Sequence, residues 1–290
     1  MKKILITGAN SYIGTSFENY MKQWSVEYQV DTVDMIDGTW KNVDFSQYDT
    51  VFHVAGIAHS DVGNVTEEQK ALYYKVNTDL TIETAKKAKA EGVKQFIFMS
   101  SAIVYGDSAP IGKPKMITKD TPVSPANFYG DSKVQAENGI MPLDDESFKV
   151  VILRPPMIYG PGSKGNYPVL SKMARKLPVF PKVKNQRSML YIENLTEFVR
   201  LMIENEEQGI FWPQNAEYSN TTELVQMIAK ARGRKIWVIP GITWALKILS
   251  HVTGVVNKAF GNLSYEQKIS TYRCVYQKRT LEESIKITEK

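Results

Sequence analysis

A tyrosine and a lysine four residues apart offer the clearest proton chemistry in this chain of 290 residues. The pattern over 129–138 predicts a helix, so the side chains of Tyr129 and Lys133 share one helix face. A nearby ammonium stabilises a phenolate and would let the tyrosine exchange a proton below its ordinary pKa of about 10. Of the 15 tyrosines, only Tyr129 has a lysine at this spacing.

A hydroxyl group stands where such a pair could use it. The apolar run over 95–100 predicts a buried strand, and Ser101 follows this strand directly. Ligands of open α/β sheets bind at the carboxyl ends of the strands. We therefore expect Ser101 to polarise a substrate oxygen beside Tyr129.

A glycine-rich turn joins a strand predicted over 3–7 to a helix predicted over 12–21. Such a turn lets the backbone approach a pyrophosphate while the helix N-terminus faces the negative charge. Two glycines six residues apart also fit an ordinary strand–helix turn, but the place after the first strand favours a dinucleotide site. The expected binding residues are Gly8, Asn10, Ser11, Tyr12, Ile13 and Gly14.

A carboxylate at the end of the next predicted strand, 28–33, bears on the kind of dinucleotide. Asp34 lies 20 residues after Gly14, where a carboxylate accepts hydrogen bonds from an adenosine ribose and repels a 2′-phosphate. Neither neighbour of Asp34 is basic. We therefore expect NAD or NADP, with NAD preferred, and a solvated aspartate at a strand end is the alternative interpretation.

The elements that must position these residues alternate along the first half of the chain. Further strands are predicted over 50–55, 95–100 and 149–154. A capping box from Thr66 to Gln69 opens a helix that runs towards Gly92 with one break. Near-continuous apolar strands alternating with helices predict a parallel sheet covered on both faces. Together with the glycine turn, they predict a Rossmann-type, doubly wound α/β domain over 1–154.

The alternation weakens after residue 154, where prolines and glycines precede a run of helical patterns. The predicted helices are 170–176, 193–204, 222–230 and 243–258. We therefore expect 155–290 to form a smaller, mainly helical region.

Composition narrows the class of protein further. The net charge of +5 is concentrated in 231–290, which hold 11 basic and 4 acidic residues, so it does not mark a nucleic-acid-binding protein. One cysteine, Cys274, excludes an intramolecular disulfide, and with three histidines in the chain we expect no metal site. A strand follows Met1 where a signal peptide would need an apolar region, and no run of 18 apolar residues exists, so we expect a cytoplasmic protein.

Taken in order, these motifs resemble those of the extended short-chain dehydrogenase/reductases, which include nucleotide-sugar epimerases, dehydratases and ketoreductases. The resemblance covers about residues 1–240. The segments that carry it are the turn from Gly8 to Gly14, His53-Val54-Ala55-Gly56, Val76-Asn77, Ser101 to Gly106, Tyr129-x-x-x-Lys133 and Arg154 to Pro161.

The resemblance implies a role for each residue of the catalytic set. Tyr129 would be the acid/base, Lys133 would bind the nicotinamide ribose and tune the tyrosine, and Ser101 would orient the substrate oxygen. The aspartate that holds the adenine in this family, at the end of the third strand, matches Asp44. The further implied cofactor contacts are Asp44, Phe45, Val54, Ala55, Gly56, Asn77 and Pro156.

The second region would supply the substrate contacts. Residues 162–192 include seven basic side chains and no Asp or Glu, which suits a nucleotide-sugar diphosphate, although a solvated surface is the alternative for most of them. The implied substrate contacts are Ser101, Ala102, Asn166 and Arg187. Two departures from the family pattern, Ser188 for an aspartate and Met157 for an asparagine, leave the details of the diphosphate contact open.

The resemblance also bears on the reaction. Dehydratases of the family carry an Asp-Glu pair after the catalytic hydroxyl, where this chain has Ala102 and Ile103. The segments at 94–100, 154–160 and 185–188 resemble those of capsule and O-antigen ketoreductases that form UDP-N-acetylfucosamine or UDP-N-acetylquinovosamine. The implied activity is NAD(P)-dependent reduction of the C4 ketone of a UDP-4-keto-6-deoxy-N-acetylhexosamine in bacterial surface polysaccharide biosynthesis. A UDP-glucose or UDP-N-acetylglucosamine 4-epimerase and a non-catalytic dinucleotide-binding scaffold are the alternatives.

Two predicted helical surfaces suggest contacts with other molecules, one with a second subunit and one with a membrane surface. Members of the family often form homodimers through two helices, which here would be about 68–90 and 125–139. The apolar and basic helix predicted from Thr243 to Phe260 could lie on a membrane surface, but packing over the substrate cleft or a second subunit is preferred. We expect His53, His59 and His251 to be structural.

Overall fold

Parallel strands organise the first part of the structure, a computed structural model that describes residues 1–58, 65–241 and 259–290 together with Leu246 and Asn257. The strands are β1 Lys2–Thr7, β2 Tyr28–Val33, β3 Thr50–His53, β4 Gln95–Met99, β5 Met116–Ile117, β6 Lys149–Leu153, β7 Met157–Tyr159, β8 Val179–Pro181, β9 Met189–Tyr191, β10 Gly209–Phe211, β11 Trp237–Ile239 and β12 Ser264–Tyr265. Apart from Leu246 and Asn257, the helix predicted over 243–258 and its hypothesis of membrane contact lie outside the described residues, as do His59 and His251.

The helices agree with the predicted ones to within four residues at each end, except that the helix at 281–288 was not predicted. They are α1 Tyr12–Met21, α2 Glu67–Tyr74, α3 Leu80–Ala90, α4 Phe128–Ile140, α5 Asn166–Lys176, α6 Ile192–Glu204, α7 Thr221–Ala231 and α8 Leu281–Thr288. Short 3-10 helices are Lys22–Trp24, Thr39–Asn42, Ala102–Tyr105, Met141–Leu143 and Gln267–Ser270. The capping box at Thr66 is present, since its side chain accepts the N–H of Gln69 and the Gln69 side chain bonds back to the Thr66 N–H.

The central sheet has the order β10-β6-β4-β3-β1-β2, and every neighbouring pair is parallel. All residues of β3 and β4 are buried, as strands covered on both faces must be. The predicted doubly wound α/β fold is therefore confirmed. Strand β10 was not predicted, because three residues from Gly209 to Phe211 are too few to show a strand pattern.

A π-helix, Lys75–Asp79, connects α2 to α3 in one continuous helical run. The predicted break in this run is therefore a local widening of the helix, which is often found at functional sites. The widening brings Asn77 into the interior, where it is completely buried.

The chain divides into two compact units, and this differs from the single boundary expected at 154/155. The first unit contains 1–106, 123–155 and 195–213, and the second contains 107–122, 156–194 and 214–290. The predicted boundary lies one residue from the point at 155/156 where the chain passes between the units. The other such points, at 106/107, 122/123, 194/195 and 213/214, were not predicted. The cause is that β10 and most of α6 belong to the first unit, although the chain has already entered the second unit before them. The hydrophobic pattern of a single segment does not show with which distant segments it packs.

The second unit is less purely helical than expected. Beside α5, α7 and α8, it contains three pairs of short parallel strands, β5 with β12, β7 with β9, and β8 with β11. These strands have two or three residues each. Their pairing joins segments far apart in the chain, so local periodicity cannot reveal it.

A buried histidine joins β1, β3 and the helix behind them. His53 is inaccessible to solvent, its Nδ1 lies 2.7 Å from Thr7 Oγ1, and its Nε2 lies 3.1 Å from Thr81 Oγ1. Burial lowers the pKa of His53 to about 3, and the positive charge of Lys133 adds to this effect. A neutral, structural histidine follows at physiological pH.

This histidine predicts a specific loss of stability in acid. Because the pKa of His53 is about 3 in the folded chain and about 6.5 when unfolded, its contribution is complete above pH 6.5 and is lost as the pH falls towards 3. The free energy of unfolding that is lost through His53 between pH 7 and pH 5 amounts to about 2 kcal/mol. Urea unfolding at the two pH values should show a steeper loss for the wild type than for His53→Gln. Equal losses would show that His53 does not resist protonation.

Candidate functional site

The glycine turn lies after β1, beside the point where the strand order reverses. Gly8 has φ +125°, and a Cβ there would lie 2.8 Å from the backbone nitrogen of Ala55, so the position requires glycine. Ser11 caps α1 by accepting the N–H of Gly14 at 3.1 Å. The N–H groups of Val54 and Ala55 both donate to the carbonyl of Thr7. The turn and the end of β3 thus form one tightly packed backbone surface at the carboxyl edge of the sheet.

Asp34 follows β2 at the same edge, as expected. Its Oδ1 accepts the N–H of Ile36 at 2.8 Å, and the residue is half-buried. This turn holds the carboxylate beside the glycine loop, since the N–H groups of Gly8 and Ala9 donate to the carbonyl of the preceding residue, Val33.

Asp44 does not lie at a strand end, so that expectation is wrong. The buried side chain of Trp40 holds the 3-10 helix Thr39–Asn42 against the core, and Asp44 follows this helix six residues before β3. Its Oδ1 accepts the O–H and N–H of Ser46 at 2.6 and 2.9 Å, which lowers the pKa of Asp44. The N–H of Phe45 donates to Glu91 at 2.6 Å. An adenine contact through the Phe45 N–H would therefore compete with Glu91.

Asn77, Gly56 and Lys133 lie together behind the end of β3. The Asn77 side chain accepts the N–H of Ile57 at 2.8 Å and donates to the Ile57 carbonyl and to Ser132 Oγ, both at 3.1 Å. A Cβ on Gly56 would lie 3.1 Å from Asn77 Oδ1 and 3.3 Å from Lys133 Nζ. Glycine at position 56 thus leaves room for these two polar side chains close to the backbone.

Ser101 and Tyr129 meet because α4 begins against the turn that follows β4. Ser101 caps the 3-10 helix Ala102–Tyr105, and α4 packs against that helix. Asn127 caps α4 by accepting the N–H of Gly130, which fixes the first turn of the helix that carries Tyr129. A Cβ on Gly130 would lie 2.9 Å from the carbonyl oxygen of Ile103, so the first turn of α4 lies directly against this 3-10 helix. The Ser101 hydroxyl is close enough to lower the pKa of the Tyr129 phenol.

The electrostatics of Tyr129 differ from the expectation of an easily ionised phenol. Burial raises the pKa of Tyr129 to about 12, Tyr73 raises it further, and the hydrogen bond from Ser101 lowers it. The ring of Tyr73 packs edge-on against Tyr129 with centroids 6.0 Å apart. Tyr129 is thus neutral at physiological pH, because desolvation disfavours the charged phenolate.

The Lys133 ammonium is held by the protein interior. Its Nζ donates to the carbonyl of Met99 at 3.1 Å and lies 4.7 Å from the centre of the Phe98 ring. Burial lowers the pKa of Lys133 to about 8, while the charge of Glu137 acts in the opposite direction.

A buried carboxylate on the same helix was not predicted. Glu137 accepts hydrogen bonds from Ser100 Oγ and from Nε and Nη2 of Arg154, and Arg154 Nη1 donates to Tyr105 Oη at 2.7 Å. Trp212 Nε1 also donates to Tyr105 Oη. The spacing of Tyr129, Lys133 and Glu137, four residues apart each time, was the available signal, because it puts all three on one helix face.

Three further predicted site residues, Pro156, Asn166 and Arg187, belong to the second unit. Pro156 is buried just before β7, and Asn166 is exposed at the first position of α5. Arg187 pairs through its backbone with Ser219 and Leu263, and burial lowers the pKa of its guanidinium to about 10. Ser188, which replaces the family's aspartate, is buried, and its Oγ accepts the N–H of Tyr265 at 2.8 Å. Ser188 therefore has an internal structural contact.

The family is established by comparison with known sequences. The profile of the NAD dependent epimerase/dehydratase family matches residues 4–211, and the chain belongs to this family. A UDP-glucose 4-epimerase of Vibrio cholerae is 30% identical, over 91% of this chain and 87% of that protein. An N-acetyl-alpha-D-glucosaminyl-diphospho-ditrans,octacis-undecaprenol 4-epimerase of Escherichia coli O157:H7 is 28% identical, over 80% of this chain and 73% of that protein.

Solved structures agree with the fold. The UDP-glucuronic acid 4-epimerase of Bacillus cereus, in complex with NAD, superposes with a TM-score of 0.73 over 98% of this chain and 96% of that chain, at 17% identity. The expected cofactor class, NAD or NADP, agrees with this neighbour and with the family description.

Two negative findings apply to the described part of the chain. No helix there has the length and apolar character that crossing a membrane requires. The same residues contain no group of three or more His, Cys, Asp or Glu side chains arranged to hold a metal ion.

The glycine turn yields a testable prediction. Gly8→Ala forces a Cβ onto the backbone of Ala55 at a φ that disfavours it, which should cost about 1–3 kcal/mol of unfolding free energy. It should also weaken NADH binding at least tenfold, measured by fluorescence titration. Gly92→Ala is the matched control, because Gly92 has φ +82° with nothing within 4 Å of its Cβ position. If both variants bind NADH equally, the turn at Gly8 is not part of a dinucleotide site.

Proposed function

We propose that this chain is a nucleotide-sugar 4-ketoreductase, which reduces the C4 ketone of a UDP-4-keto-6-deoxy-N-acetylhexosamine. The observation that carries the proposal is the packing of the first turn of α4 against the turn after β4, which brings Tyr129 close to Ser101, with Lys133 on the same helix. Bacterial surface polysaccharide synthesis is the setting implied by the resemblance, and a cytoplasmic homodimer is the proposed form.

The first unit offers residues that fit a dinucleotide. The turn from Gly8 to Gly14 suits the pyrophosphate, Asp34 the adenosine ribose, and Lys133 with Asn77 the nicotinamide ribose at Gly56. Asp44, Phe45, Val54 and Ala55 complete the proposed set in this unit, and Pro156 of the second unit is a contact that the resemblance implies. The bound cofactor supplies the hydride for the ketone carbon.

The chain itself supplies the proton. A phenol whose pKa is about 12 is fully protonated at physiological pH, as a general acid must be before it acts. In the proposed reaction Tyr129 donates its proton to the C4 oxygen as that oxygen gains negative charge, and the Ser101 hydroxyl hydrogen-bonds the same oxygen. General acid help of this kind is worth roughly 10²–10⁴ in rate.

In the proposed reaction, Lys133 stabilises the phenolate of Tyr129 that remains after the proton transfer. Its ammonium, desolvated between Phe98 and the Met99 carbonyl, favours the phenolate form of Tyr129 more than it would in water. Elimination of water is not proposed, because Ala102 and Ile103 carry no acid or base.

A 4-epimerase is the second candidate, and the names of two relatives favour it. The relatives from Vibrio cholerae and Escherichia coli are both named 4-epimerases. An epimerase would use Tyr129 first as a base and then as an acid, with one cofactor retained through both half reactions.

One assay separates the candidates. Purified protein receives UDP-2-acetamido-4-keto-2,6-dideoxyglucose with NADH, and separately with NADPH, while absorbance at 340 nm is followed and the product is weighed. Stoichiometric loss of absorbance with a gain of two daltons supports the ketoreductase. If no reduced cofactor is consumed, while UDP-glucose or UDP-N-acetylglucosamine is epimerised without added cofactor, the chain is an epimerase.

Removal of the phenol hydroxyl tests the proton donor. Tyr129→Phe keeps the ring packing against Tyr73 but has no proton to give, so we expect turnover to fall by a factor of ~10² or more. NADH binding, measured by fluorescence, should stay within threefold of wild type. A variant that keeps more than a tenth of the wild-type rate would show that another group is the acid.

Arg187 tests the proposed diphosphate contact. Arg187→Ala should raise KM for the nucleotide sugar much more than KM for the cofactor, because Arg187 is proposed to pair with the sugar diphosphate. Lys184→Ala, an exposed basic residue of the same segment, is the control and should change neither value. Equal effects of Arg187→Ala on both KM values would remove Arg187 from the substrate site.

A further inference from the structure

We infer that Glu137 is a positioning residue of the reaction, whose buried carboxylate fixes the turn that carries Ser101 against α4 and keeps the Lys133 ammonium charged. This inference rests on the proposed function, because it concerns the same Ser101, Tyr129 and Lys133. It assigns a function to a buried carboxylate that makes no direct contribution to the proposed proton transfer.

The first argument is where the partners of the carboxylate lie. Glu137 is 2% exposed, and it bonds to Ser100, which directly precedes Ser101. It also forms two hydrogen bonds to Arg154, which directly precedes Pro155. The carbonyl of Pro155 accepts the N–H of Ala102 at 2.8 Å.

The same network closes on the far side of that turn. Arg154 Nη1 donates to the hydroxyl of Tyr105, the last residue of the 3-10 helix that Ser101 caps. One carboxylate on α4 therefore connects, directly or through Arg154, to residues before and after Ser101. Because Tyr129 stands on the same helix, the network sets the distance between the two hydroxyl groups that share the substrate oxygen.

The second argument is charge. Lys133 and Glu137 are four residues apart on α4, and both are buried. The other titratable groups around them are Tyr129 on α4, His53 on β3 and Arg154 after β6, and of these His53 and Tyr129 are neutral at physiological pH. Of these groups, Lys133 and Arg154 are cations, and Glu137 is the carboxylate that acts on both. Loss of its charge would leave both cations buried without this compensation.

A purely structural salt bridge is the competing explanation, and the chain provides a matched control for it. Glu197 is also 2% exposed, and its Oε2 accepts hydrogen bonds from Arg200 Nε at 2.7 Å and Tyr20 Oη at 3.0 Å. It lies on α6, away from Lys133 in sequence and on another element. Glu197→Gln therefore measures the consequence of neutralising a buried carboxylate that pairs with arginine.

The experiment measures the pH dependence of kcat and of NADH dissociation from pH 6 to pH 9.5 for the full-length wild type, Glu137→Gln and Glu197→Gln. In the wild type, kcat should fall and the dissociation constant for NADH should rise above pH about 8, where Lys133 loses its proton. In Glu137→Gln this limit should move down by ~1 pH unit for both quantities, which is about tenfold in the ionisation constant. Glu197→Gln should keep the wild-type limit.

Removal of a neutral hydrogen-bond partner of Glu137 separates the effect of its position from the effect of its charge. Ser100→Ala removes one hydrogen bond from Glu137 but leaves its charge, so kcat should fall while the alkaline limit stays at the wild-type pH. If Glu137→Gln does not fold, Glu137→Asp keeps the charge and shortens the reach, and should behave as Ser100→Ala does. An unshifted limit in Glu137→Gln, or a limit that Ser100→Ala shifts equally, overturns the inference.

Failure of the proposed function would look different. If no keto sugar is reduced and no UDP-sugar is epimerised, NADH dissociation still reports the Lys133 ammonium, because NADH is the probe and no turnover is needed. A downward shift of the binding limit in Glu137→Gln alone would then support the charge effect while the proposed reaction is rejected. The same limit in all variants would reject the role of Glu137.

Discussion

The buried ammonium of Lys133 is the constraint on which the rest of this site depends. A charge removed from water must be solvated by the protein, and here a backbone carbonyl, an aromatic face and a nearby carboxylate share that task. Each comes from a particular place: the carbonyl of Met99 from the end of β4, the Phe98 ring from the same strand, and Glu137 from the next turn of α4. The helix can satisfy them together in only one register against the sheet.

That register explains the proton chemistry. When α4 is fixed against β4, Tyr129 lies next to Ser101 and against Tyr73, in surroundings that hold the phenol neutral. The arrangement suits a group that gives a proton to a developing oxyanion, and it makes ionisation before substrate arrives costly.

Close backbone packing fixes the positions of the residues expected to bind the dinucleotide. Gly8 meets Ala55 where β1 and β3 part, and the widened helix at 75–79 turns Asn77 inward to hold the backbone at Ile57. His53 lies behind both, neutral and bonded to threonines of β1 and α3. A rigid backbone surface follows, and rigid surfaces hold a ligand without the entropy cost of ordering loops.

The sequence by itself determined the parallel α/β architecture, the glycine turn, and the helix face shared by Tyr129 and Lys133. These follow from local periodicity and spacing, which short-range geometry alone can decide. The tertiary structure decided the rest. It placed Asp44 before β3 instead of at a strand end, returned β10 to the first unit, and paired the short strands of the second unit. It also raised the pKa of Tyr129 and buried Lys133 on the helix face that carries Glu137. Burial and long-range pairing set these features, because the desolvation of a charge depends on which distant segments cover it.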